Sequence, residues 1–252
     1  LNKIDYRSLA GYLFWSELKS DLNRYLLGPV WWVLEPSLYV IVFYLAFAHL
    51  RGGGDHVYSL LCGLSGWHWI AGVINQGANS LVRKKGILQS FSIHPIIFPV
   101  LTLLLQTFKF SVVLICVITV LWIGGVLKPA GLIDIVLWLA TTMFVSFSYA
   151  VILSVIIPFA PDIQLIISRA MMLLMFLSGV IFPIGQMSAK AQAYLYWNPF
   201  AHLIEFGRKV LLYGESLDPV LISTMLLIHA PILIFGYLIL GKLRGEIPKR
   251  LI

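Results

Sequence analysis

Apolar residues in this chain come in long unbroken runs instead of the alternating or one-face patterns of a soluble fold. Six runs, at 30–50, 60–82, 96–126, 132–157, 163–182 and 220–240, approach or exceed the roughly 20 residues a helix needs to cross a bilayer. Two of them are interrupted, and the second is the weaker span for it. The second carries Ser65, His68, Asn75, Gln76 and Asn79, and the third carries Lys109. Glu35 lies near the start of the first run and Arg169 within the fifth. The pattern predicts an all-α polytopic membrane protein with six transmembrane helices and both termini on one side.

Two further segments are neither spans nor free loops. In 6–26, Phe14, Leu18, Leu22 and Tyr25 recur at i, i+4, i+8 and i+11 with Trp15 beside them, while Glu17, Lys19, Asp21 and Arg24 occupy the other face. That is an amphipathic helix suited to the membrane interface. It serves either as a passive anchor or as a docking surface for a cytoplasmic partner. The segment 183–219 is too polar to span and too apolar to float. Asn198-Pro199 should break it into two short helices. A helical hairpin dipping into the outer leaflet is expected, and its irregular backbone must be covered by protein or line a water-filled cavity. A merely interfacial hairpin is the alternative.

Composition agrees with the pattern. Of 252 residues, 60% are hydrophobic and 12% charged, where a soluble domain runs near half and a quarter. A water-soluble globule so composed would expose large apolar patches, which argues against a cytosolic enzyme, a disordered chain or a nucleic-acid-binding domain. The net charge of +7 is unevenly placed. Segments 1–29, 83–95, 158–169 and 242–252 hold twelve Lys and Arg, the other connections five, and Lys109 lies inside a run. The positive-inside rule then puts both termini in the cytoplasm. The first 25 or so residues mix charges and lack an apolar core, so no cleavable signal is expected in them. Cys62 and Cys116 sit in apolar runs with no metal-ligand spacing and are expected to be buried; no metal site is expected.

Catalytic constellations are missing. Gly52-Gly53-Gly54 is not followed by Lys, so it reads as a turn and not as a phosphate cradle,. The six histidines are scattered at 49, 56, 68, 94, 202 and 229, whereas a membrane-embedded transferase would gather His, Asp or Glu at one interface. A secondary transporter would show two related halves around a midplane ion site, and no such repeat is visible. Both classes remain as distant alternatives.

Leu27-Gly28-Pro29-Val30-Trp31-Trp32-Val33-Leu34-Glu35-Pro36-Ser37 resembles the entry to the first span in permease subunits of type 2 ATP-binding-cassette exporters, those of capsular polysaccharide export above all. Phe159-Ala160-Pro161-Asp162-Ile163-Gln164 resembles that family's turn before the fifth span. Ile181-Phe182-Pro183 followed by Trp197, Asn198, Pro199, His202, Glu205 and Arg208 resembles its last outer loop. The layout matches along nearly the whole chain, although the second run is richer in Gly and Trp than the family pattern. The resemblance implies a single permease domain over 1–252: an interface helix in 1–29, five spans in 30–182, an outer re-entrant hairpin in 183–219, a sixth span in 220–241 and a cytoplasmic tail in 242–252. It implies a homodimer in a bacterial inner membrane, among membrane lipids, with two copies of a separate cassette ATPase. That partner would bind ATP and magnesium, and this chain would carry no cofactor. The cargo would be a lipid-linked polysaccharide, most naturally capsular, with O-antigen and teichoic acid export as alternatives and periplasmic export proteins as further partners. No nucleic acid is implied.

Such a cargo sets physical demands. Sugar C–H faces stack on aromatic rings and sugar hydroxyls need donors and acceptors, so candidate path residues are Tyr39, Phe43, Phe47, Trp67 and Trp69, with the intramembrane cations Lys109 and Arg169. Aromatic stripes also serve as packing, and Trp near a span end as interface belt. Lys109 either faces an aqueous path or marks a membrane segment that starts later than the apolar run. Arg169 either snorkels to the interface or meets phosphate of the cargo, and Glu35 is expected to cap its helix or pair with Arg24 or Arg169 in preference to touching the cargo. For coupling to the ATPase, two cytoplasmic surfaces stand out. One is the interface helix, with Glu17, Asp21 and Arg24 at its rim. The other is the loop 83–95, whose Leu88, Phe91, Ile93 and His94 supply apolar contact.

Overall fold

The computed structural model describes residues 6–24, 27–47, 55–90 and 93–250. Every regular element among them is helical: α1 (Tyr6–Arg24), α2 (Val30–Phe47), α3 (Asp55–Ala78), α4 (Ser80–Arg83), α5 (Lys85–Ser90), α6 (Ile97–Ile123), α7 (Leu132–Ile156), α8 (Ile163–Phe176), α9 (Ala189–Leu195), α10 (Pro199–Arg208) with a π-helical turn Lys209–Tyr213, α11 (Pro219–Lys242) and α12 (Ile247–Arg250). Among the described residues α3, α6, α7 and α11 are long and apolar enough to cross a membrane, and α2 and α8 are shorter apolar helices. Four full-length candidates thus stand where six apolar runs were read.

The fifth run shows why. Its helix ends at Phe176, about 21 Å from its start at 1.5 Å per residue,. The chain then turns through Gly179 at φ +65°. The turn carries carbonyls that hydrocarbon cannot satisfy, and the segment 183–219 supplies the donors. Asn198 Nδ2 donates to Leu177 C=O at 2.9 Å and to Ser178 Oγ at 3.0 Å. Arg208 donates to Gly179 C=O at 2.8 Å and Val180 C=O at 2.6 Å. In α2, Pro36 sits inside the helix and withdraws the N–H that would meet Trp32 C=O.

The helix α3 is the hub. It packs on α2, α6, α7, α8 and α10, which requires small residues where backbones approach. A Cβ at Gly77 would lie 2.7 Å from Ala150 Cβ on α7, and one at Gly63 would lie 2.4 Å from Val180 O. The glycine richness of the second run is therefore the packing of a central helix. This helix begins at Asp55, five residues before the apolar run, so Trp67 and Trp69 lie near its middle and not in its outer part.

Segment 183–219 does break at Asn198-Pro199. Asn198 Oδ1 caps α10 by accepting from Phe200 N at 3.0 Å, with Pro199 in the first turn,. Phe200 meets Tyr149 at 5.3 Å between ring centroids, and Tyr149 is seventeen residues past Leu132, about 25 Å along α7. Higher up, Trp138 Nε1 donates to Leu203 C=O at 3.1 Å and Ala130 N to Val210 C=O at 2.8 Å. From the Asn198 turn the chain climbs back along α7 toward Leu132.

A separate apolar cluster closes the opposite end. Leu13 of α1, Leu81 and Leu88 of the α4–α5 loop, Ile93, Ile97 of α6, Val155 of α7, Leu240 of α11 and Ile247 of α12 share it. The two terminal segments therefore lie together.

Candidate functional site

An open-sided groove of about 450 Å³ runs between α2, α3, α6 and α8. Its aromatic wall includes Trp32, Tyr39, Trp67, Trp69 and Phe110. Its polar groups include Glu35, Ser65, His68, Asn75, Gln76, Gln106, Lys109 and Ser168, and Met171, Met172 and Met175 of α8 complete it. Tyr39 is exposed at 42% and its ring lies 5.0 Å from that of His68, whose Nδ1 is 2.8 Å from Leu64 O. Trp67 and Trp69 are largely buried, with only part of each ring reaching the groove. Trp67 packs edge-on against Phe200 at 6.1 Å, and Trp69 stacks on Phe110 at 4.2 Å and donates to Thr107 Oγ1 at 3.3 Å. Asn75 Oδ1 is buried without a hydrogen-bond partner among the described residues, an acceptor that a hydroxyl would satisfy.

Four of the seven path candidates, Tyr39, Trp67, Trp69 and Lys109, thus line one groove. Phe43 packs edge-on against Phe176 at 6.3 Å and stays outside it. The side chain of Phe47 lies outside the described residues. Arg169 is exposed and does not line the groove, although its neighbour Ser168 does. Glu35 stands exposed on the groove and makes no ion pair among the described residues, so the expected pairing with Arg169 is not formed. The Arg24 side chain lies outside the described residues.

Below the groove is a polar cavity of about 170 Å³ beneath α1, walled by Ser16, Glu17, Ser20, Asp21, Arg83, Lys84 and Thr102 among others. Here the interface helix faces inward. Glu17 pairs with Lys84 at 2.5 Å and Asp21 with Lys109. These carboxylates, expected at the rim of a partner-binding cleft, hold α1 to the α4–α5 loop and to α6. Leu88 and Ile93, expected in the partner contact, are 5% and 3% exposed and sit in the chain's own terminal cluster. Phe91 lies outside the described residues. His94 stacks on Tyr237 at 5.4 Å and its Nδ1 accepts from Ile96 N at 3.3 Å. Burial first, and the nearby Arg244 charge second, push its pKa below the usual 6.5.

At the other end, Arg208 is fully buried. Besides the two turn carbonyls it donates to Ser59 C=O at 3.2 Å and pairs with Glu205 at 3.3 Å. His202 Nε2 is 2.8 Å from Tyr196 O, and Trp197 is 85% exposed beside the turn. Among the described residues no group of three His, Cys, Asp or Glu is placed to hold a metal ion.

Sequence reading missed Trp32, His68, Asn75, Gln76 and Gln106 as lining residues. The signal is in the second run: the polar residues that weaken it as a span include Ser65, His68, Asn75 and Gln76, whose side chains line a groove.

A bundle of apolar helices around a polar, aromatic-lined groove defines a multi-pass membrane protein. The chain belongs to the ABC-2 type transporter family, whose model matches residues 9–212. The match bears out the resemblance read from the first span and the last outer loop. It is 23% identical over 239 residues to a polysialic acid transport protein, KpsM, of Escherichia coli, covering 93% of this chain and 92% of that one. It is 21% identical over 231 residues to the O-antigen export system permease protein RfbA of Klebsiella pneumoniae, covering 90% and 89%. Its likeness to the Myxococcus xanthus protein of that name is 24% over 205 residues, covering 79% and 78%.

Proposed function

We propose that the whole chain, 1–252, is the permease domain of an ATP-driven exporter that moves a lipid-linked polysaccharide from the cytoplasm to the periplasm. In this reading it works as a homodimer in the bacterial inner membrane, with α2, α3, α6, α7, α8 and α11 as six crossings and both termini cytoplasmic. The segment 183–219 dips into the outer leaflet. Two copies of a separate ATPase, which bind ATP and magnesium, dock on the exposed faces of α1 and α5, where Gln89 and Ser90 are exposed. Capsular polysaccharide is the preferred cargo, in line with the transport role in the Escherichia coli relative's name. O-antigen is the second reading, in line with the Klebsiella relative's name.

The observation that carries the proposal is the groove itself. It pairs aromatic faces for sugar C–H surfaces with amide, imidazole and carboxylate groups for hydroxyls, and it is open along one side. A polymer on a lipid anchor needs such an open side, because its anchor stays in the bilayer while its sugars do not. Tyr39→Ala should lower export roughly two- to tenfold, as losing one aromatic contact implies, with ATPase association unchanged. Tyr39→Phe should retain export, since the ring face remains. Polymer export and subunit retention measured on the same membranes decide it. Full export by Tyr39→Ala, or equal loss of assembly, overturns the path assignment.

A further inference from the structure

The groove and the polar cavity beneath α1 meet at three side chains: Gln76, Gln106 and Lys109 line both. At that junction the Lys109 ammonium is paired with Asp21 of α1 and lies 5.6 Å from the ring centroid of Trp32. Lys109 is twelve residues past Ile97, about 18 Å up α6, and its side chain is only 16% exposed. A cation at this depth needs a counter-charge at all times. The one it has is borne by a separate helix, and Asp21 is 29% exposed.

A second feature makes that partner exchangeable. The cavity beneath α1 holds two carboxylates, Glu17 and Asp21, against three cations, Arg83, Lys84 and Lys109. Lys84 holds Glu17 at 2.5 Å. Arg83 donates to Gln76 Oε1 at 3.3 Å and has no carboxylate partner among the described residues. If Asp21 leaves Lys109, a guanidinium facing the same cavity is ready to receive it. Lys109 is then released toward the groove, beside the amides of Gln106 and Gln76. An ammonium flanked by amide N–H donors suits the oxygens of a phosphate, which carry full charge and accept several hydrogen bonds.

We propose that Lys109 is an anion-exchange site. The phosphate of a lipid headgroup entering the groove displaces Asp21 from Lys109, and Asp21 passes to Arg83. Each charge stays paired throughout, so a charged headgroup is admitted without leaving a bare ammonium at depth. The inference rests on the export reading only for the role of that headgroup as the end of the cargo; the site chemistry stands on the two cavities and the charge count.

The test uses the full chain in lipid nanodiscs, labelled with 5-fluorotryptophan, with the Trp32 resonance assigned by Trp32→Phe. The probes are phosphatidylglycerol titrated into phosphatidylcholine discs and, separately, inorganic diphosphate in the buffer of pure phosphatidylcholine discs. A saturable shift of the Trp32 signal with phosphatidylglycerol is expected, and Lys109→Gln should abolish it. Asp21→Asn removes the competitor and should move the midpoint to roughly two- to fivefold less phosphatidylglycerol, the scale of losing one partly exposed ion pair. The double exchange Asp21→Lys with Lys109→Asp keeps the ion pair, and with it the docking of α1, but should lose the response. A shift with phosphatidylglycerol alone identifies a lipid headgroup as ligand, and one with diphosphate as well identifies the phosphate group itself as sufficient. No shift with either, an unchanged response in Lys109→Gln or in the double exchange, or an unmoved midpoint in Asp21→Asn overturns the proposal. None of these readouts needs an ATPase or export. A Lys109→Gln variant that loses headgroup binding yet exports normally would leave the anion site standing and refute the export reading of the groove.

Discussion

Arg208 shows what one residue can hold together. Its guanidinium spends its donors on Ser59, Gly179 and Val180 carbonyls and on Glu205, joining α3, the turn after α8 and α10. A Cβ at Gly63 would come within 2.6 Å of Arg208 Nη2, so a glycine on α3 leaves the slot the side chain fills. Lysine has one nitrogen where three are used and cannot span these acceptors. Arg208→Leu should destabilise the fold by about 3–5 kcal/mol, the scale of breaking a buried ion pair, and Arg208→Lys should recover only part of it. Thermal unfolding in detergent measures both, and a lysine variant as stable as the parent contradicts the multi-carbonyl role. His94 gives a second test at this scale. Its folded pKa lies below the unfolded 6.5, so between the two values the unfolded chain holds more protons. Stability then rises with pH in that window, is complete above 6.5 and falls as pH drops below it. Amide protection around 93–97, that is exchange measured against the base-catalysed intrinsic rate, should therefore fall between pH 7.5 and 5.5, and His94→Phe, which keeps a ring against Tyr237, should remove that dependence.

Among elements, the shortened α8 and the α9–α10 break depend on each other. The chain can leave the helix at Phe176 because Asn198 and Arg208 meet the carbonyls of the turn that follows, those of Leu177, Gly179 and Val180. Asn198→Ala removes a helix cap and orphans Leu177 C=O together. It should cost roughly 2–3 kcal/mol, the sum of a cap and of the bonds to Leu177 C=O and Ser178 Oγ,, against about 1 kcal/mol for a cap alone. Chemical or thermal unfolding separates the two figures. The Asn-Pro break was legible in sequence because both residues act locally, one as a cap and one at a first helical turn. The early end of α8 was not legible, since its donors come from 20 residues downstream and an apolar run carries no mark of where its carbonyls are met. Likewise α1 was legible as an amphipathic helix from its spacing. The direction of Glu17 and Asp21 was not, because their partners Lys84 and Lys109 lie on other elements. Lys109 looked anomalous within an apolar run for that same reason.

At the scale of the whole molecule, two ends of different chemistry emerge from one pattern of charge. The terminal cluster joins α1, the α4–α5 loop, the start of α6 and the C-terminal tail, and the segments around it carry most of the twelve Lys and Arg counted on one side of the sequence. Spatial convergence of segments far apart in sequence is independent of that count, yet it brings together three of the four segments, 158–169 excepted. Anionic headgroups and the membrane potential both favour that end in the cytoplasm. The other end gathers the 127–131 connection, the start of α7 and the stretch from Val210 to Leu217, tied by Lys128 N to Leu211 C=O at 3.0 Å and by Leu217 N to Asp134 Oδ1 at 2.9 Å. Ser188 and Ser90 are both exposed, and the six-crossing reading puts them on opposite sides. The Ser188 cap contact to Ala191 N is long at 3.4 Å, so Ser188→Cys should fold normally. With both native cysteines replaced by Ala, Ser188→Cys should react with a membrane-impermeant maleimide in cells whose outer membrane alone is opened. Ser90→Cys should react only after the inner membrane is permeabilised. The reverse pattern would invert the molecule. Labelling of both from one side would mean an even number of crossings between them, so that one of α6, α7 and α8 does not traverse.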